Sequence, residues 1–213
     1  LSALVSNAKG SGDNSQTQRL AAQGLSFGII ATFVSMVIGW FIGPLLINLV
    51  SEPGAYRDAA LGYFKFLILA LPGFFLAYGG NGILQAHGDS RTMQRAMMVA
   101  FLANIGLNPL LMFGIDGIWN GIGFNGIAVA TIISQTGVMV FIITRILKLA
   151  TMRSVNLGAF WPDRASFMQI IGQLIPASPA MMVMFVSGFV LQSALKEVGG
   201  HAVAAYGSAL RIE

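Results

Sequence analysis

From Leu25 to Val50 the chain runs without a charged residue, and this stretch excludes most of the folds open to a chain of 213 residues. A helix over it would reach ~39 Å at ~1.5 Å per residue, past the ~30 Å hydrocarbon core of a bilayer. Four further apolar runs follow, roughly from Ala59 to Tyr78, Ala96 to Ile115, Ile122 to Thr144 and Phe167 to Leu195. Charged residues make up only 9% of the chain, where a soluble domain carries about a quarter. No aqueous core could hide so much apolar surface. Strict apolar–polar alternation is missing, which argues against a lipid-facing barrel and leaves helices to satisfy the backbone inside lipid. The expected fold is therefore all-α: a polytopic membrane helix bundle of about five complete transmembrane helices. The short apolar run Gly199 to Ile212 is read as part of a sixth.

A net charge of +4 would suit a nucleic-acid partner, but the basic residues form no single stripe. They sit in alternate connections. Lys9, Arg19, Arg91, Arg95, Arg145, Lys148, Arg153 and Arg164 fall on one side and Arg57 and Lys196 on the other, eight against two. By the positive-inside rule the first side is cytoplasmic. No nucleic acid is expected as a partner; membrane lipids are. The absence of cysteine excludes disulfides, thiol chemistry and Cys-ligated zinc. Paired carboxylates, a nucleophile with its base and a histidine cluster are all missing from the spans, so no catalytic residues and no enzyme are expected. His87 and His201 have no ligand companions at useful spacing and read as structural. Lys65, inside the second span, is expected to snorkel outward.

The chain has no initiator methionine and no signal-peptide pattern, and it reads as an interior piece of a larger transporter. Residues Ser6 to Gln23 are expected to form a solvated connector in which Asp13 or Asn14 caps a short helix. Pro53-Gly54 marks a tight turn. Arg145 to Arg164, closed by Trp161-Pro162-Asp163, is the longest polar connection and the expected joint between two halves. Pro72, Pro109, Pro176 and Pro179 each free a carbonyl within a span, at Ile68, Ile105, Gly172 and Ile175. Kinks are expected there, and beside Pro176 and Pro179 the run Met181, Met182 and Met184 suits an adaptable apolar surface. Gly121 to Gly126 matches G-x-G-x-x-G by letter but follows no strand, so it is read as a Gly-rich turn opening a span.

Polarity inside the spans is concentrated. Asn104 and Asn108 are four residues apart and share a helix face; Thr131, Ser134 and Gln135 share another in the next span. Two such stripes in neighbouring antiparallel helices either enclose an oxygen-lined site or act as interhelical glue.

Three segments in register carry a family resemblance: Leu84-Gln85-Ala86-His87-Gly88-Asp89-Ser90-Arg91-Thr92, Asn104-Ile105-Gly106-Leu107-Asn108-Pro109, and Gly126-Ile127-Ala128-Val129-Ala130-Thr131-Ile132-Ile133-Ser134. The chain resembles the multidrug and toxic compound extrusion (MATE) family, as does its ending in Ala-Tyr-Gly-Ser-Ala-Leu-Arg-Ile-Glu. The resemblance implies a twelve-helix, two-lobe antiporter that exchanges cations for amphipathic or cationic drugs by alternating access, in a bacterial inner membrane. It divides the chain into residues 1–150, from the end of the second helix to the sixth in the first lobe; 151–166, a cytoplasmic inter-lobe linker; and 167–213, the seventh helix and part of the eighth. It assigns Asn104, Asn108 and Thr131 to an ion or substrate site, with sodium or a proton as coupling ion and no other cofactor. The rest of the same polypeptide is the implied partner.

Two positions depart from the family pattern. Asn108 stands where the family carries Asp, and the seventh helix lacks the Glu that some members use. The coupling carboxylate is then expected outside this chain. The alternatives are a lipid-linked oligosaccharide flippase of the same superfamily, which would need a strongly basic cavity that these spans lack, and a non-transporting scaffold.

Overall fold

The computed structural model describes residues 1–153, 155–198 and 206. The chain begins with α1 (Ser2–Gly10), then α2 (Asn14–Val50), α3 (Ala55–Ile68), α4 (Leu71–Ala86) and α5 (Arg91–Phe113). A two-strand hairpin, β1 (Gly114–Ile115) with β2 (Trp119–Asn120), leads to α6 (Asn125–Leu147) and the single turn α7 (Ala150–Arg153). A 3-10 turn (Leu157–Phe160) precedes α8 (Arg164–Val198). His201, the short apolar run and the closing Ala-Tyr-Gly motif lie outside the described residues apart from Tyr206.

Three helices, α2, α5 and α6, are each long and apolar enough to cross a membrane. Two bent pairs supply the other spans: α3 with α4, at 45°, and the two halves of α8, at 53°. The expected five spans are present, and the chain is an integral membrane protein. Large apolar side chains such as Phe33, Phe41, Leu45 and Leu49 lie exposed along α2, as a lipid-facing surface requires. The first bend has a chemical cause. Pro72 cannot donate to Ile68, the helix closes on Phe66 and Leu67 through the N–H groups of Leu69 and Ala70, and a new helix starts. Pro176 and Pro179 lie at the second bend.

Two boundaries differ from expectation. The connector at Ser6 to Gln23 is exposed over most of its first half, as expected, and Asp13 caps a helix there, but that helix is not short: α2 starts at Asn14 and runs unbroken into the first span, with Thr17, Leu20, Ala21, Ala22 and Gln23 buried. Polar composition misled here because α1 and residues 155–163 cover these residues. The second span continues to Ala86 rather than ending near Tyr78, which moves Asn81 from a loop into a helix.

Three segments expected on one side do meet at one end of the bundle, hereafter the basic end. Arg19 pairs with Asp163 at 2.9 Å, the His87 ring lies 3.0 Å from the Thr151 hydroxyl, and Arg145 shares a cavity with Arg91 and Arg95. Each helix rising from this end opens on an aspartate. Asp13 accepts from the Gln16 N–H, Asp89 from those of Arg91 and Thr92, and Asp163 from that of Ser166. An aspartate at such a terminus satisfies orphan donors and complements the helix dipole. All three carboxyls titrate below the ordinary range: Asp89 chiefly through the Thr92 hydroxyl, Asp13 through the Gln16 N–H, and Asp163, down to about 2, through the Ser166 hydroxyl.

The buried core joins α2, α4, α5 and α6, with Leu25, Ala77, Leu84, Ala100, Val138 and Ile142 at its centre. Glycines set its tightest approach. A Cβ at Gly73 would stand 2.8 Å from the Gln135 backbone, and one at Gly80 2.7 Å from Ile142 and 2.8 Å from Ile146. These contacts make α4 and α6 parallel neighbours. At the far end the glycine-rich turn behaves as expected: Gly123 takes φ +63°, and Gly126 lies against the Leu111 backbone with no room for a side chain.

Candidate functional site

The α5–α6 interface is the most extensive between helices in the described structure. It is antiparallel, anchored where Gly126 touches Leu111 and closed by the hairpin. Counting back along both helices at ~1.5 Å per residue places Thr131 at a depth between Asn104 and Asn108. Sequence spacing had set the two amides on one face; the register adds Thr131 at their level.

Five buried side-chain oxygens find no hydrogen-bond partner among the described residues: Asn104 Oδ1, Asn108 Oδ1, Ser134 Oγ, Gln135 Oε1 and Asn81 Oδ1. The first four fall within about two turns of one another along the α5–α6 register. Native interiors leave few such atoms, since each unsatisfied polar group costs about 1–3 kcal/mol. Thr131 is arranged differently. Its hydroxyl donates to the Ile127 carbonyl at 3.0 Å, which leaves its oxygen lone pairs free to accept or to ligate.

The set is chemically uniform: amide and hydroxyl oxygens, neutral and hard. Such oxygens suit a cation or a hydrogen-bond donor. No carboxylate lies among them, and no cluster of three His, Cys, Asp or Glu residues exists among the described residues. A cation held here would have its charge balanced from elsewhere. Pro109 adds to the polarity, because its missing N–H leaves the Ile105 carbonyl without its helical partner.

Asn81 escaped the sequence reading, and the structure keeps it apart. The parallel α4–α6 packing, with Gly80 on Ile142 and Ile146, puts it about 18 Å nearer the basic end than Thr131. It is flanked on its own face by the fully buried Ala77 and Leu84. An amide between Gly80 and Gly82 was a readable signal, lost when the span was ended too early. Lys65 is exposed on α3, as snorkelling requires. His87 is structural: its Nδ1 donates to the Ile83 carbonyl at 2.9 Å, so Nε2 accepts from Thr151.

A different kind of polar construction sits at the basic end. The Gln23 side chain, 2% exposed, donates to the Ala159 and Trp161 carbonyls at 2.7 Å each and accepts from the Asp163 N–H at 2.9 Å. Ser26 donates to the Phe160 carbonyl at 2.7 Å. Phe27 meets Phe167 edge to face at 5.3 Å. Together they clasp the linker and the start of α8 to α2.

A family model, MatE, matches residues 1–110. Among curated proteins the chain is 27% identical over 210 residues to the probable multidrug resistance protein YoeA of Bacillus subtilis (strain 168), covering 97% of this chain and 45% of the relative. It is 24% identical over 208 residues to the multidrug export protein MepA of Staphylococcus aureus (strain bovine RF122 / ET3-1), covering 98% of this chain and 45% of that one. A solved inward-facing multidrug resistance MATE family transporter of the MOP superfamily superposes with a TM-score of 0.88 at 25% identity, over 99% of this chain and 47% of that one. The chain spans about half the length of the curated relatives it matches.

Proposed function

The chain belongs to the MatE family, and on that premise we propose that it is one part of a cation-coupled multidrug efflux antiporter of a bacterial inner membrane. Residues 1–150 would belong to the first lobe, 151–166 to the linker and 167–213 to the second lobe. Small amphipathic or cationic drugs leave as a monovalent cation, sodium or a proton, enters. Alternating access needs both lobes around a midplane site. The names of the relatives, a multidrug resistance protein and a multidrug export protein, support the substrate class.

Asn104, Asn108 and Thr131 hold the ion on this reading. The supporting observation is the pair of buried, unpartnered carbonyl oxygens on one face of α5 at the depth of Thr131. Their role is ligation rather than titration, since an amide at position 108 neither binds nor releases a proton. Neutral oxygens hold a cation weakly in hydrocarbon, which favours release, and the balancing carboxylate comes from outside this chain. Proton coupling would pass through that carboxylate.

The test is ion-dependent drug efflux with this chain placed in a transporter of the relatives' full length. Asn104→Leu and Thr131→Val should each abolish the ion dependence while expression stays normal. Asn108→Asp should tighten cation binding and make it pH-dependent. Unchanged ion-dependent efflux in both Asn104→Leu and Thr131→Val would reduce these residues to interhelical packing.

A further inference from the structure

At the basic end, the α4–α5 connection and the last turn of α6 border an open cavity of about 570 Å³ lined by Arg91, Arg95, Arg145, His87, Asp89 and Thr92. Its one carboxylate, Asp89, is occupied by the Thr92 hydroxyl and by the backbone N–H groups opening α5. None of the three arginines forms an ion pair among the described residues. The cavity therefore carries an unbalanced positive charge.

Arg95 also lines a second space. From it a groove of about 370 Å³ runs between α5 and α6 over Ala96, Ala100, Ala103 and Gly137 as far as Leu107. Apart from Arg95 and Ser134, every lining side chain is apolar or glycine. Ser134 is one of the unpartnered oxygens named above; under hydrocarbon its hydroxyl would turn to a carbonyl of its own helix, a bond it does not make in this structure. Arg145 ties the two spaces again: its guanidinium stacks 5.2 Å above the ring of Phe141, a groove residue. From Arg95 to Leu107 the groove is about 18 Å long, close to the ~15 Å of one leaflet's hydrocarbon.

We propose that these joined spaces bind one anionic phospholipid, its phosphate among Arg91, Arg95 and Arg145 and one acyl chain in the α5–α6 groove. The charge selects the headgroup, and a basic pocket between helices on the cytoplasmic side faces the leaflet richest in anionic lipid. The groove selects a lipid over a soluble anion, because a free phosphate has nothing to lay along the alanines.

The test is native mass spectrometry, in detergent, of this chain within a transporter of the relatives' full length, titrated separately with phosphatidylglycerol and phosphatidylcholine. Phosphatidylglycerol should be retained roughly tenfold better, and the double variant R95Q/R145Q should erase that preference. R153Q, removing a basic-end charge outside the cavity, should leave it intact. A Cβ at Gly137 meets nothing within 4 Å, so a side chain can leave the backbone there; Gly137→Leu projects into the groove and should cut retention of both lipids. Equal retention of the two lipids by the unmodified chain overturns the proposal. So does an R153Q loss equal to that of R95Q/R145Q, which would mean diffuse attraction. Displacement of phosphatidylglycerol by inorganic phosphate, with no effect of Gly137→Leu, would leave only an anion site and overturns it as well.

Discussion

Gln23 and Gln135 are the same side chain in opposite circumstances. Gln23 makes three hydrogen bonds and is nearly inaccessible; Gln135 Oε1 is buried without a partner, beside Asn104, Asn108 and Ser134 in the α5–α6 register. The first arrangement fixes a chain segment. The second leaves a desolvated oxygen without compensation, which the proposed ion would relieve. The two glutamines thus differ in hydrogen-bond saturation, and it is the unsaturated one that lies by the proposed site.

Gln23→Leu should have the largest effect. It leaves the Ala159 and Trp161 carbonyls and the Asp163 N–H unpaired, and should cost about 3 kcal/mol in thermal or denaturant unfolding in detergent. Gln135→Leu, with no bond to its side-chain oxygen to lose, should change stability by less than about 1 kcal/mol. Equal losses in the two variants would erase the distinction.

Next come the glycines that bring α4 onto α6. Gly73→Val drives its side chain into the Gln135 backbone, which cannot step aside, and should cost about 2 kcal/mol. Gly80→Ala meets side chains rather than backbone, the Cγ2 methyl of Ile142 and the Cδ1 end of Ile146, and adds a single methyl, so it should cost less in the same unfolding assay. The reverse order would mean that the α4–α6 approach is set elsewhere.

Much of this was legible in the sequence, for reasons of scale. Runs as long as Leu25 to Val50 have one physical solution, and the four-residue spacing of Asn104 and Asn108 is a local property of a helix. Pro72 announced its bend. The clasp was illegible, because Gln23 and its partners lie 136 to 140 residues apart and nothing in a run of Ala, Gln and Gly says what will cover it. Polar composition alone pointed the wrong way. Asn81 was lost by a boundary error, since a span ended at Tyr78 leaves it in water. Two of the three aspartate caps were also missed, although Asp89-x-x-Thr92 and Asp163-x-x-Ser166 have the spacing of Asp13-x-x-Gln16.

A third prediction concerns His87, the other tie between distant segments at the basic end. Thr151→Val removes the donor to Nε2 and loosens α7 from the α4 terminus, with an expected cost of about 1 kcal/mol. His87→Gln should retain part of the tie, because an amide can still pair with the Thr151 hydroxyl. A loss as large as that of Gln23→Leu would make this tie, not the linker clasp, the main fastening.

The smallest effect belongs to acid, and it separates the two halves of the clasp. Asp163 titrates at about 2, below the ordinary 3.8, first because of the Ser166 hydroxyl and N–H and then because of Arg19. A carboxyl whose folded value is depressed contributes stability that is complete above the unfolded value and disappears as pH falls through the folded one. The thermal midpoint should therefore drop between about pH 4 and pH 2 by more in the unmodified chain than in Asp163→Asn. Ser166→Ala should remove more of that difference than Arg19→Gln, following the order of the causes; the Arg19 side chain is 58% exposed, and its pairing is screened by water and salt. Gln23 contacts only backbone groups of the linker and Asp163, so acid leaves its bonds in place and the linker should stay docked. A drop in Asp163→Asn equal to that of the unmodified chain would show that the clasp does not sense this carboxylate. Release of the linker by acid as complete as in Gln23→Leu would show that the aspartate, rather than the buried glutamine, fastens it.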